Sequence, residues 1–314
     1  MPLAIESNLL TKRYLSQKEG PPAIEAISLQ VPEGELYGLV GPDGAGKTTL
    51  LRILASVMEP TSGSACLVGF DLHRQAEKAR HYIGYMPQAF SLYPDLTVRE
   101  NIHFFADLHG VSKTRRKERV AELLEFARLT AFTARRSENL SGGMRKKLAL
   151  ACALIHEPKV LLLDEPTTGV DPVSRRELWH LLSRVVQQGV TVMISTPYMD
   201  EAERCHTVGI LNQGHLLING RPAELEAQLP FQVVEVQARP RRTLREVVAT
   251  SRDVLAWRAV GDRLRLAVAD PLGAQQHLAA SLDQAGATTG ILRQARPTME
   301  DVFIHLVDAG RDGA

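Results

Sequence analysis

Hydrophobic positions fall into two rhythms along the chain, changing near residue 230. In the first part, Ile24-Glu25-Ala26-Ile27-Ser28-Leu29-Gln30-Val31 alternates apolar and polar residues, the mark of a half-buried strand. It is the second of two extended stretches between residues 3 and 31. Glu35-Leu36-Tyr37-Gly38-Leu39-Val40 reads as a short buried strand, and Leu50-Leu51-Arg52-Ile53-Leu54-Ala55 as the first turns of a helix. Ser64 to Phe70 is a further strand, followed by a polar helical stretch at 73–81. Another strand over His81 to Gln88 then ends at Pro87. Residues 97–138 carry no strand signal and read as helices, the first through Val98 to Ala106. The continuous aliphatics of Lys159-Val160-Leu161-Leu162-Leu163 predict a central parallel strand, buried on both faces. A helix around Ser174 to Gln188, a strand over Val190 to Thr196 and a hairpin about Asn212-Gln213-Gly214 close this part near Gly220.

The second part reads as strand (Phe231 to Ala238), helix (Leu244 to Thr250), two strands across Gly261-Asp262-Arg263, helix (Ala274 to Ala285) and strand (Thr289 to Gln294). A terminal helix over Met299 to Val307 completes it. That order, β-α-β-β-α-β, is ferredoxin-like. The expected organisation is a larger α/β domain over residues 1–225, with a helical subdomain at about 89–157, and an α+β accessory domain over 226–314. No catalytic constellation stands out in the smaller domain.

Composition narrows the function only modestly. The chain has 314 residues, 44% hydrophobic and 23% charged, as in an ordinary globular protein. A net charge of +1 gives no argument for nucleic acid or for an anionic membrane. Three cysteines, Cys66, Cys152 and Cys205, lie far apart with no C-x-x-C pair, which suits a reducing compartment and no zinc site. Glu6 and the absence of an apolar core argue against a secretory signal at the N-terminus. The longest apolar runs, such as Leu148 to Ile155, are too short to span a bilayer, so any membrane role is expected to be peripheral.

The chemistry is concentrated in Gly41-Pro42-Asp43-Gly44-Ala45-Gly46-Lys47-Thr48-Thr49, a G-x-x-x-x-G-K-T phosphate loop between a predicted strand and a predicted helix. In that context backbone N–H groups converge on a phosphate. Lys47 is expected to reach the β and γ phosphates, and the Thr48 hydroxyl to bind Mg²⁺. Tyr14 is either core packing or a ring that stacks on adenine. Gln88, just beyond a strand, offers a carbonyl for Mg²⁺ or for positioning a water, or is a plain loop residue. Ser141-Gly142-Gly143 opens a long apolar helix; it serves as a simple helix start or as an anion site built from a hydroxyl, glycine N–H groups and a positive helix end. Asp164 and Glu165 end the buried aliphatic strand, at the edge where an open α/β sheet presents its ligands. Asp164 suits a Mg²⁺ carboxylate and Glu165 the group that polarises an attacking water. The basic run Lys113 to Arg119 is a solvated helix face or a segment near lipid headgroups.

Taken together, the phosphate loop, Gln88, Leu140-Ser141-Gly142-Gly143-Met144, Leu161-Leu162-Leu163-Asp164-Glu165-Pro166 and Gly169-Val170-Asp171-Pro172 resemble an ABC transporter ATP-binding subunit. The resemblance covers roughly residues 4 to 225. It is nearest to the ATPases of bacterial drug and antibiotic exporters of the DrrA and YbhF type, and the tail ending Arg296-Pro297-Thr298-Met299-Glu300-Asp301-Val302-Phe303 looks like their C-terminal extension. The implied fold is a P-loop ATPase domain with a mostly parallel core sheet, an antiparallel β subdomain and a helical subdomain. The resemblance implies ATP and Mg²⁺ as cofactors, Tyr14 on adenine, and Gly41 to Gly46 with Lys47, Thr48 and Thr49 around the phosphates. Gln88 would link the site to an integral-membrane permease subunit, Glu165 would be the catalytic carboxylate, and Asp171 would cross a dimer interface. Ser141, Gly142 and Gly143 would grip the γ-phosphate held by an opposing subunit, in a homodimer or with a second ABC ATPase, on the inner face of the cell membrane. Two positions depart from the pattern. Met144 stands where glutamine is usual, and Pro197 stands where the family places a switch histidine. Proline has no imidazole and no N–H, so it offers no hydrogen bond to a γ-phosphate. A non-transport ABC ATPase, acting in translation or on DNA, is the other class this reading leaves open, with a P-loop kinase or GTPase further behind.

Overall fold

The computed structural model describes residues 2–14, 20–89 and 92–312. It divides into two compact units, Met1–Pro222 and Ala223–Ala314. In the first, the strands are β1 (Leu3–Lys12), β2 (Ile24–Pro32), β3 (Leu36–Val40), β4 (Ser62–Leu67), β5 (Phe70–Asp71), β6 (Ile83–Met86), β7 (Val160–Asp164), β8 (Thr191–Thr196), β9 (Thr207–Asn212) and β10 (His215–Gly220). The helices are α1 (Lys47–Leu54), α2 (Ala76–Arg80), α3 (Val98–Leu108), α4 (Lys113–Phe126), α5 (Gly142–Leu154), α6 (Pro172–Gln187) and α7 (Met199–Ala202), with α8 (Pro222–Ala227) at the boundary.

The central sheet has the order β10-β9-β3-β8-β7-β6. Every neighbouring pair from β9 to β6 is parallel, and β10 returns antiparallel. All residues of β3, β7 and β8 are buried, which accounts for the aliphatic run Val160 to Leu163 in β7. The second sheet, β2-β1-β4-β5, is antiparallel throughout. The single strand expected over Ser64 to Phe70 is instead two. Val68 and Gly69 both take positive φ, 49° and 79°, and form a two-residue turn that folds Phe70 back against Leu67.

The helical segment hangs on local caps. Thr97 and Glu100 form a reciprocal capping box at the start of α3. Asn101, fully buried, donates to the carbonyls of Tyr93, Leu96 and Thr97 and accepts from the Tyr93 N–H, which fixes the loop before α3. Ser141 caps α5 through the Met144 N–H, so the serine does start a helix. At the other end of α5 the His156 ring lies 3.0 Å from the Ile83 carbonyl and stacks on His109 at 3.8 Å. The C-terminal end of this helix is thereby fixed with respect to β6.

The second unit holds β11 (Gln232–Arg239), α9 (Arg241–Thr250), β12 (Val254–Val260), β13 (Arg263–Val268), α10 (Pro271–Gln284), β14 (Thr288–Ala295) and α11 (Met299–Asp312). Its sheet runs β12-β13-β11-β14 with all pairs antiparallel, the ferredoxin-like order expected from the hydrophobic rhythm. Val234, Val236, Leu264 and Leu266 meet Leu244, Val248, Leu278 and Leu282 of α9 and α10 in a core of its own.

The histidine stack makes stability depend on pH. Burial, helped by the charge of His109, pushes His156 down to about 4. Between pH 6.5 and 4 the unfolded chain therefore binds a proton that the folded chain refuses, so stability is full above 6.5 and falls as the solution is acidified. At about 1.4 kcal/mol per pKa unit the loss is at most about 3 kcal/mol. Urea unfolding at pH 7 and pH 5 should show this fall, and His156→Gln should flatten it.

Candidate active site

The phosphate loop lies between the end of β3 and the start of α1. Gly46 caps α1 with φ 105°, and a Cβ there would sit 2.4 Å from the Ala23 carbonyl, so only glycine lets the loop close against the neighbouring strand. Lys47 is buried. Its ammonium donates to the carbonyls of Gly41 and Pro42 at 2.8 and 3.0 Å and lies 3.5 Å from Glu165 Oε1.

Strand order explains how distant residues meet here. β8 lies between β3 and β7, so its last residues stand between the phosphate loop and the two carboxylates. Ser195 Oγ donates to Asp164 Oδ1 at 2.7 Å and accepts from the Glu165 N–H at 3.0 Å. Thr48 Oγ1 donates to the same Asp164 oxygen at 3.1 Å. The other carboxylate oxygen of Asp164 is buried and has no hydrogen-bond partner among the described residues. An unpartnered carboxylate oxygen beside a threonine hydroxyl is a donor set suited to a hard divalent cation.

Glu165 takes φ 47°, a left-handed conformation costly for a residue with a Cβ. Its carboxylate accepts from Gln88 Nε2 at 2.9 Å and from Thr168 Oγ1 at 3.2 Å. Lys146, on the first turns of α5, points its ammonium at the carbonyls of Gln88 and Glu165, at 3.3 and 3.4 Å. Burial pulls this ammonium below the usual lysine range, while the charges of Glu165 and Asp164 oppose that shift. A cavity of about 260 Å³ opens here, walled by Asp43 to Thr49 with Ala23, Gln88 and Glu165.

The structure thus brings together Asp43, Gly44, Ala45, Gly46, Lys47, Thr48, Thr49, Gln88 and Glu165 around one cavity, with Asp164 behind Thr48. Gly41 and Pro42 hold the lysine. Tyr14 does not line the cavity, but its hydroxyl lies 3.1 Å from Thr49 Oγ1. Ser141, Gly142, Gly143 and Asp171 are absent from the cavity wall. A Cβ on Gly143 would meet the Ser174 side chain at 2.3 Å, so the start of α5 packs on that of α6. Asp171 is the exposed cap of α6: the N–H groups of Val173 and Ser174 reach its carboxylate, and the Ser174 bonds hold its carboxyl below the usual range.

Pro197 follows β8 beside a buried carboxylate, Glu201. That group accepts from Thr196 at 2.6 Å, Thr167 at 3.0 Å and Trp179 at 3.3 Å, tying the end of β8 to the loop after Glu165 and to α6. Ser195, Thr168, Lys146 and Glu201 escaped the reading of the sequence. Polar residues closing an otherwise aliphatic strand, as in Met193-Ile194-Ser195-Thr196, are the signal that could have found the first.

A family model described as ABC transporter matches residues 24–168. The chain is 49% identical over 221 residues to the "Probable multidrug ABC transporter ATP-binding protein YbhF" of Escherichia coli (strain K12), covering 70% of this chain but 38% of that protein's length. It is 37% identical over 285 residues to the "Nod factor export ATP-binding protein I" of Cupriavidus metallidurans, covering 90% of this chain and 91% of that protein. Among solved structures, the dimeric post-hydrolysis state of the ATP-binding cassette MJ0796 bound to ADP and Pi superposes with a TM-score of 0.64 at 28% identity, over 69% of this chain and 98% of that one.

Ser195→Ala should leave the Glu165 N–H buried without an acceptor and free one side of Asp164. The expected cost is about 1–3 kcal/mol in unfolding free energy, with a fall in ATP turnover, checked by urea unfolding and phosphate release.

Proposed function

The chain belongs to the ABC transporter family of ATP-binding subunits, and on that premise we propose how its site works. Members of this family hydrolyse ATP and couple it to transport, and this chain is an ATPase subunit that energises an exporter. The residues around the loop carry the finer reading. ATP phosphates lie in the Gly41 to Gly46 cradle with Lys47 and Thr49, and adenine lies near Tyr14. Thr48 and Asp164, with Gln88 beside them, would hold a magnesium ion, which would supply charge neutralisation on the phosphate oxygens. Glu165 polarises the attacking water, and Gln88 both steadies that carboxylate and reports to a membrane-embedded permease. The cargo is a drug or another hydrophobic compound, and the chain works at the inner face of the cell membrane. No helix among the described residues is long and apolar enough to cross a membrane.

The observation that carries this reading is the separation of two half-sites. Lys47, Thr48, Gln88 and Glu165 share one cavity, while the serine-capped start of α5 lies outside its wall. An anion site with no phosphate loop of its own serves nucleotide held by a facing cassette, so Ser141, Gly142 and Gly143 complete the opposing site and Asp171 crosses the interface. A role on nucleic acid draws no support from the near-neutral charge.

Pro197 makes the chain's own site slow. It removes one charge-stabilising contact to the γ-phosphate, a loss worth on the order of 10² to 10³ in rate. Steady-state phosphate release should therefore rise at least about tenfold in Pro197→His. It should fall to background in Glu165→Gln with ATP binding retained. Turnover in Pro197→His equal to wild type would contradict the role given to the proline. Chelating magnesium with EDTA should abolish hydrolysis in every variant, and re-addition should restore it.

A further inference from the structure

Two consecutive lysines near the start of α5 serve different neighbours. Lys147 donates to the Glu177 carboxylate of α6 at 2.8 Å. Lys146 is 4% exposed and sets its ammonium 3.3 Å from the Gln88 carbonyl and 3.4 Å from the Glu165 carbonyl. Burying an ammonium is costly unless its donors find acceptors. Here the acceptors are the main-chain carbonyls of two residues whose side chains also meet, since Gln88 Nε2 donates to Glu165 Oε2 at 2.9 Å. Lys146 is itself absent from the wall of the phosphate-loop cavity.

The hold matters most at Glu165. Its φ of 47° is costly for a residue with a Cβ, so neighbours must impose it. The Ser195 hydroxyl accepts from its N–H at 3.0 Å, while its carbonyl accepts from the Thr168 N–H at 3.3 Å and from Lys146. Ser195 ends β8 and Thr168 lies in the loop after β7, so Lys146 is the contact among these three that comes from α5. Ser141, whose hydroxyl caps α5, precedes it by five residues, about 7.5 Å along the helix axis. A shift at Ser141 is therefore carried to the Glu165 carbonyl by about one and a half turns of continuous helix.

We propose that Lys146 is a positioning residue: it keeps the backbone of Gln88 and Glu165 in register with the start of α5, so that nucleotide gripped at Ser141 sets Glu165 of the same chain for hydrolysis. The proposal rests on the reading that Ser141, Gly142 and Gly143 complete the site of a facing cassette. It gives Lys146 an effect on the rate of cleavage and none on ATP binding, because the lysine stands behind the two residues and outside the cavity wall.

The test measures phosphate release and Mg²⁺-ATP-dependent sedimentation of the full chain. It compares wild type, Lys146→Met, Lys146→Gln and, as the control for dimer formation, Glu165→Gln. Lys146→Met keeps an unbranched side chain and removes the donors. Its kcat should fall by about ten- to a hundredfold, the effect of a small misplacement at a reacting centre. The ATP concentration at half-saturation should stay within about twofold of wild type, and an ATP-dependent dimer should still form. Lys146→Gln, shorter but still a donor, should show the same split to a smaller degree, and it carries the test if urea unfolding shows that the methionine variant does not fold. A wild-type kcat in the folded variants would overturn the proposal. So would a folded Lys146→Met chain that stays monomeric while Glu165→Gln dimerises, since the lysine would then merely support α5. A Glu165→Gln control that itself stays monomeric would contradict the reading of Ser141, and the proposal with it.

Discussion

Two carboxylates and an ammonium are held almost out of water where β7 ends. Lys47, Asp164 and Glu165 are 4%, 1% and 5% exposed. Such burial is costly unless every charge has partners, and the surrounding structure supplies them. The strand order places Ser195 between the loop and the acids, and Glu165 accepts a left-handed backbone so that its carboxylate meets Gln88 and Thr168. What stays unsatisfied is one oxygen of Asp164, at the place where the proposed chemistry needs a cation.

The same constraint links the site to the helical segment. Lys146 reaches from α5 to the carbonyls of Gln88 and Glu165, so the helix that presents Ser141 outward is anchored inward on the backbone of Glu165. Glu201 plays a parallel part on the other side, binding the end of β8, the loop after Glu165 and α6 through one buried carboxylate. In the proposed cycle these contacts let events at a facing cassette alter the geometry around Glu165. Pro197 directly follows Thr196, one of the donors to Glu201.

Much of this was legible in the sequence because the strongest local rules all agree there. Continuous aliphatics mark β7, alternation marks β2, and the glycines of the phosphate loop are set by backbone sterics that leave little choice. The ferredoxin-like order of the second unit was legible for the same reason: β11 and β13 alternate, and its turns carry Gly261 and Gly286. The β4–β5 turn was missed because Val68 is a poor turn residue whose left-handed φ is imposed by pairing, not by its own preference. Ser195, Thr168, Lys146 and Glu201 were missed for a deeper reason. Each acts through a contact between segments that only the sheet order brings together, and no spacing along the chain encodes that.

The central claim is that nucleotide binds to half a site, which a facing copy's Ser141-Gly142-Gly143 completes. Sedimentation equilibrium of Glu165→Gln with and without Mg²⁺-ATP, compared with the same chain also carrying Ser141→Arg, tests it most directly. The account predicts a monomer that becomes a dimer only with ATP, and a Ser141→Arg form that still binds ATP yet stays monomeric. Dimerisation unaffected by Ser141→Arg, or a Glu165→Gln chain that remains monomeric at saturating ATP, would contradict it.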